Sequence, residues 1–210
     1  MSDGPDPLRR RRLACLITML VGAAVLAVSL RIAPGDALFY PATLALAAVW
    51  VIGALASGPV RLGRSARTGC RPVLAGVLLG LALAAVFVLG AFLVRAVPVL
   101  QEHVRDVIGF AQHGSIALVL VITLVNGMAE EVFFRGALYD AAPRHPILLT
   151  TIVNVAVVAA SGNPMLVLAA VLLALVAGWQ RRVTGGVLAP IVIHLIWASV
   201  MLVALPAVLG

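Results

Sequence analysis

Glu130, Glu131 and Arg135 interrupt an otherwise apolar segment of the chain. A charged side chain at mid-helix costs roughly 2.5–3.5 kcal/mol on insertion scales, so an ionisable group inside a membrane span marks a functional site by default. On a helix Glu131 and Arg135 stand four residues apart and face each other, whereas Glu130 points roughly 100° away. That spacing makes Glu131 and Arg135 an internal ion pair. Glu130 is left without an adjacent cation, which suits it to act as a general base. His194, in the last apolar run, and Asn154, in the run that opens at Pro146, are the polar groups that can join it.

These residues must be positioned by membrane helices. The chain has 210 residues, of which 63% are hydrophobic and 11% charged, and its mean hydropathy is +1.15. Soluble domains average about 45–50% apolar and 25% charged residues. The composition predicts an all-α, polytopic transmembrane bundle of about seven spans plus one interfacial helix. The apolar runs cover 13–30, 38–56, 73–94, 115–139, 146–160, 165–179 and 186–205. Residues 1–12 read as a basic arm on the cytoplasmic side and residues 13–210 as a single transmembrane domain. The first run is longer than a typical signal h-region and reads as a retained anchor, with cleavage near Ser29 as the alternative.

Within residues 98–113, Val99, Leu100, His103, Val107 and Phe110 recur at helical spacing and predict an amphipathic helix in the interface. Gly76 and Gly80 have the small-xxx-small spacing of a packing face, a spacing that 19 glycines also produce by chance. Cys15 and Cys70 belong to different depths and are expected to be free thiols.

The net charge of +7 comes from arginines clustered between apolar runs. Such clusters set topology, and a nucleic-acid partner is not expected. With the N-terminus inside, Arg9 to Arg12, Arg61, Arg64, Arg67, Arg71, Arg144, Arg181 and Arg182 all fall on one side. Opposite them lie Arg31 beside Asp36, Arg95, and Arg105 near Glu102 and Asp106. The prediction is an integral protein of the bacterial cytoplasmic membrane, N-terminus inside and C-terminus outside. At about 1.5 Å per residue, Glu130 lies about 13–14 Å from the cytoplasmic end of its span, and His194 and Asn154 about 12 Å from theirs. A carboxylate, an imidazole and an amide are therefore expected to converge in a cavity open to the cytoplasm.

EEVFFR, residues 130–135, resembles the EExxFR first motif of the CAAX-protease and bacteriocin-processing (CPBP) membrane proteases, also called the Abi family. TGGVLAPIVIH, residues 184–194, resembles the third-motif helix of the same family, and the similarity covers about residues 115–205. The resemblance implies an eight-helix-like fold, a conical cavity facing the cytoplasm, and proteolysis of a membrane-associated or prenylated-type substrate. It implies that Glu130 and a second-motif histidine activate water, and that His194 with an asparagine four residues on stabilises the oxyanion. Glu131 and Arg135 complete the catalytic set, with Asn154 and Ser199 in its polar shell.

Two positions depart from the family pattern. Counting back from the Gly162-Asn163-Pro164 turn puts the second motif on Ala156 and Ala160, and the third-motif asparagine is Ala198, with Ser199 beside it. A divalent metal such as zinc is not required by the sequence, and Glu130 and His194 are the residues that would hold one. The departures give weight to a second reading, a non-catalytic relative acting as a scaffold, chaperone or immunity-type protein. The sequence sets no oligomeric state.

Overall fold

The computed structural model describes residues 6–29, 31–33, 36–63, 72–112, 115–142 and 144–210. Arg64, Arg67, Arg71, Cys70 and His113, and the side chain of Phe110, lie outside the described residues. Among them all regular structure is helical. In order come α1 (Pro7–Ser29), α2 (Phe39–Ser57), α3 (Pro72–Val94) and α4 (Pro98–Gln112). Then α5 runs unbroken from Ile116 to Ala141, followed by α6 (Pro146–Ala159), α7 (Pro164–Thr184) and α8 (Leu188–Leu209). The chain is an all-α polytopic bundle.

Proline opens five of these helices, where its missing N–H costs nothing and its fixed φ favours the first turn. At α7 the Asn163 side chain also caps the start, accepting from the Met165 and Leu166 N–H groups at 2.9 and 3.3 Å. Asp6 accepts from Leu8 N–H at 3.0 Å, so α1 begins at Pro7. Arg9 to Arg12 therefore lie in its first turns.

Six helices are long and apolar enough to cross a membrane: α1, α2, α3, α5, α7 and α8. The other expected span, residues 146–160, forms as α6 at its expected place but is too short to stand among these six. Pro146 and the turn at residues 160–163 confine α6 to 14 residues, a rise of about 21 Å against a hydrocarbon core of about 30 Å. It still connects the two ends of the bundle. It starts beside Ala141 of α5, and the turn that follows it is tied to α4 by Asn163 Nδ2 donating to the His103 carbonyl at 2.7 Å. Large apolar side chains such as Leu20, Ile52, Leu78, Leu93 and Val203 are exposed on the outside of the bundle, where lipid is their natural solvent.

Close approach of helices depends on small residues. A Cβ on Gly76 would lie 2.7 Å from Val192, and one on Gly80 2.9 Å from Ile196. The Gly76/Gly80 face is thus the face that packs α3 on α8. Between α1 and α2, a Cβ on Gly22 would overlap the indole of Trp50, a side chain only 1% exposed. Gly22→Ala is accordingly expected to destabilise the protein by about 1–3 kcal/mol through overpacking, measured by denaturant unfolding in mild detergent, with little change in secondary structure.

The amphipathic α4 forms, but its buried stripe is Val104 and Ile108, packed on Ala91 and Leu209. Val99 is 66% exposed. The stripe is rotated from the expected one because α4 lies across the end of α8, where Arg105 Nε donates to the Leu209 carbonyl at 3.2 Å and satisfies a terminal acceptor. At the other, arginine-rich end, the segment after α2 closes over the start of α8. Val187 and Leu188 N–H groups donate to the carbonyls of Arg61 and Leu62 at 3.0 and 3.1 Å, and Gly63 and Gly186 are in backbone contact.

Candidate active site

The central helix α5 packs on α2 and α8. Just after Glu131 it widens into a π-helical stretch, Val132–Leu138, in which Phe133 to Leu138 are all buried. Six consecutive buried residues exceed what one apolar stripe can hide, and they mark α5 as enclosed on all sides there. Phe133, Phe134 and Trp50 of α2 form a triple aromatic contact with centroids 5.0–5.2 Å apart. π-Helical turns of this kind recur at functional sites.

Glu131 is fully buried, and a single carboxylate oxygen, Oε1, serves two partners. Arg135 Nη1 donates to it at 3.1 Å, as the i,i+4 spacing predicts. His194 Nδ1 lies 3.0 Å from the same atom. A carboxylate paired with arginine only accepts, so Nδ1 carries the hydrogen and the other ring nitrogen, Nε2, is the free one. The Arg135 carbonyl accepts from Arg181 Nε at 2.7 Å. Arg181 in turn pairs with Asp140 at 2.8 Å, and Asp140 lies 3.6 Å from Arg11. Polar bonds therefore run from the acid-histidine pair to the arginine-rich end.

Glu130 and His194 line one cavity of about 520 Å³. Thr123, Asn126, Trp197 and Ala198 lie on the same wall, and apolar side chains of α3, α4 and α7 supply most of the rest. The expected direction of this cavity is corrected by its lining. It extends from His194 along α8 to Leu209, roughly 20 Å, toward α4 and away from the arginine-rich end. That end is filled by Trp50, Phe133 and Phe134 and by the strap at residues 61–63.

The expected polar shell is corrected as well. Asn154 is buried on the inner stripe of α6 with Thr150, Thr151 and Val157, but no α6 residue lines the cavity. Similar depth did not bring it to the same side. Ser199 donates to the Leu195 carbonyl of its own helix at 2.7 Å and lies outside the lining, whereas Ala198 is in it. Ala156 and Ala160 are exposed, so the second-motif register counted from the turn points outward. Asn126 and Trp197 are two polar cavity residues, beside Thr43 and Thr123, that sequence reasoning missed. Their signal was available, since Asn126 precedes Glu130 by four residues and Trp197 follows His194 by three, placing each on the same helix face as its neighbour.

Gly127 makes room for the imidazole. A Cβ there would lie 3.0–3.3 Å from the His194 ring, so Gly127→Ala must displace the ring by a few tenths of an ångström. If the protein is catalytic, kcat is expected to fall about tenfold, since misplacement by 1 Å can cost about 100-fold, with KM and thermal unfolding nearly unchanged. Steady-state kinetics beside a melting curve measures both.

The donors do not suit a resident zinc ion. Catalytic zinc takes three protein ligands, and among the described residues no three His, Cys, Asp or Glu come together. His194 Nδ1 is already committed to Glu131.

No curated protein and no solved structure matches the chain. Residues 112–200 match the family model described as Rce1-like, type II CAAX prenyl endopeptidase Rce1-like. This segment, which holds Glu130, Glu131, Arg135 and His194, is similar to the Rce1-like family of CAAX-type endopeptidases, in agreement with the CPBP resemblance of its motifs.

Proposed function

We propose that the protein is an intramembrane endopeptidase that hydrolyses a peptide bond of a membrane-associated substrate bearing an apolar or prenyl group. The observation that carries this reading is the placement of Glu130 and His194 on one mostly apolar cavity, while Arg135 is engaged by Glu131. Glu130 is the general base. Its carboxylate takes one proton from a water molecule, and His194 Nε2 accepts a hydrogen bond from the other. The water oxygen bonds to the scissile carbonyl carbon, the carbon–nitrogen bond breaks, and the proton held by Glu130 passes to the departing amine. Glu131 acts through His194, fixing its tautomer, and Arg135 neutralises Glu131. The apolar remainder of the cavity suits a hydrocarbon group flanking the cleaved bond. In this reading the protein sits in the bacterial cytoplasmic membrane with its N-terminus inside, and the cavity occupies the half of the bundle away from the cytoplasmic arginines.

A second reading is favoured by a specific observation: Ala198, and no amide, lines the cavity one turn after His194. It is a non-catalytic CAAX-protease relative that keeps the bundle as a scaffold. The two are separated by reconstituting the purified protein in liposomes with dye-labelled, membrane-tethered and prenylated peptides and following cleavage by mass spectrometry. Cleavage by the parent and not by Glu130→Ala supports the endopeptidase. Equal cleavage by both, or none by either across the set, sinks it.

A further inference from the structure

Two buried polar atoms without a partner belong to residues of the cavity wall: Asn126 Oδ1 and Trp197 Nε1. Every other such atom among the described residues, including Glu131 Oε2 and Thr151 Oγ1, belongs to a residue outside that wall. Asn126 is only 9% exposed. Its Nδ2 donates to the Ile122 carbonyl at 2.9 Å, which fixes the amide and leaves its oxygen uncommitted. Trp197 is held by an edge-to-face contact with Phe87 at 5.3 Å and another with His194 at 6.0 Å, and its ring nitrogen only donates.

Neither atom has open surface in this structure, so a partner reaches it as the two side chains yield to an entering chain. An acceptor on α5 and a donor on α8, on residues beside Glu130 and His194, then complement one chemical group above all. A peptide unit offers an N–H and a carbonyl together, and in a cavity lined mostly by apolar side chains both must be satisfied. We propose that Asn126 and Trp197 clamp the backbone of the substrate next to the scissile bond. Asn126 Oδ1 accepts from a substrate N–H, and Trp197 Nε1 donates to a substrate carbonyl, taking over the donor role that Ala198 cannot perform. Both are positioning residues. The inference rests on the endopeptidase reading for its substrate class, but binding tests it without turnover.

The probe is a dye-labelled, farnesylated CAAX-type peptide, together with analogues in which each of the three bonds after the prenylated cysteine is replaced in turn by an ester, which removes one N–H. Binding is measured by fluorescence anisotropy on the Glu130→Gln protein in nanodiscs. One ester position is expected to weaken binding about tenfold, the worth of one hydrogen bond. Adding Asn126→Ala weakens the all-amide peptide by a similar factor and abolishes the difference between amide and ester. Adding Trp197→Phe, which keeps the aromatic packing, lowers affinity for both ligands about tenfold and preserves that difference.

The clamp is overturned if the peptide does not bind, if no ester position matters, if Asn126→Ala retains the full ester penalty, or if Trp197→Phe binds as its parent does. Because the variants lie on different helices, loss of fold in one, seen as a collapsed melting curve, leaves the other to decide. A parent that cleaves nothing while the ester penalties follow this pattern removes the endopeptidase reading and leaves the clamp standing.

Discussion

Glu130→Ala is expected to lower kcat/KM by about 10²–10⁴-fold, the usual worth of a general base, with no loss of stability. The separation of these two effects follows from the bonding. Glu130 forms no hydrogen bond or ion pair among the described residues, whereas the adjacent Glu131 carries both the arginine and the histidine. Glu130 is half-buried and unpaired, so removing its carboxylate breaks no bond and relieves part of a desolvation cost, and thermal unfolding is expected to stay level or rise slightly. Initial rates on the membrane-tethered peptide, read beside a melting curve, check both halves. A parallel fall in rate and melting temperature would place Glu130 in the architecture and not in the chemistry.

The sequence made part of this division visible and hid the rest, for physical reasons. Helical spacing alone pairs Glu131 with Arg135, because i,i+4 neighbours meet whatever surrounds them. Composition alone demands a helical bundle, because backbone groups in lipid must be satisfied within a helix. The similar depth of Glu130 and His194 also follows from counting residues. Depth, however, says nothing of rotation about the helix axis. Which glutamate takes the His194 nitrogen depends on how α8 turns toward α5, and this is set by Gly127 against the imidazole and by Gly76 and Gly80 against α3. Asn154 shows the same gap, since it reaches the expected level on a helix that contributes nothing to the cavity.

The direction of the cavity was hidden for a different reason. Its closed end is made by Trp50 of α2 meeting Phe133 and Phe134 of α5 and by the Arg61 and Leu62 carbonyls meeting the start of α8. These contacts join distant parts of the chain, and no local pattern announces them. The shortness of α6 was legible in Pro146 and the Gly162-Asn163-Pro164 turn. The rotation of the α4 stripe was not, because a weakly apolar helix takes its face from what it covers, here Leu209 and Ala91.

Arg135→Met is expected to cost about 3–5 kcal/mol, the penalty for leaving one member of a buried ion pair uncompensated. The substitution retains much of the apolar stem that packs by Phe134, with the guanidinium carbon 5.8 Å from that ring, so the loss reports charge more than volume. Glu131 is fully buried, and without the guanidinium its carboxylate keeps only the His194 N–H at 3.0 Å. The double variant Glu131→Met/Arg135→Met removes both charges at once. It is expected to be more stable than the single variant, because replacing a whole buried pair with apolar side chains is often neutral or stabilising. The non-additivity is the signature of direct coupling. Activity does not return with the fold, since the double variant has lost the carboxylate that holds His194. Denaturant titration in mild detergent measures the first quantity and peptide cleavage the second. An Arg135→Met protein as stable as the parent would mean that the buried carboxylate finds its compensation elsewhere.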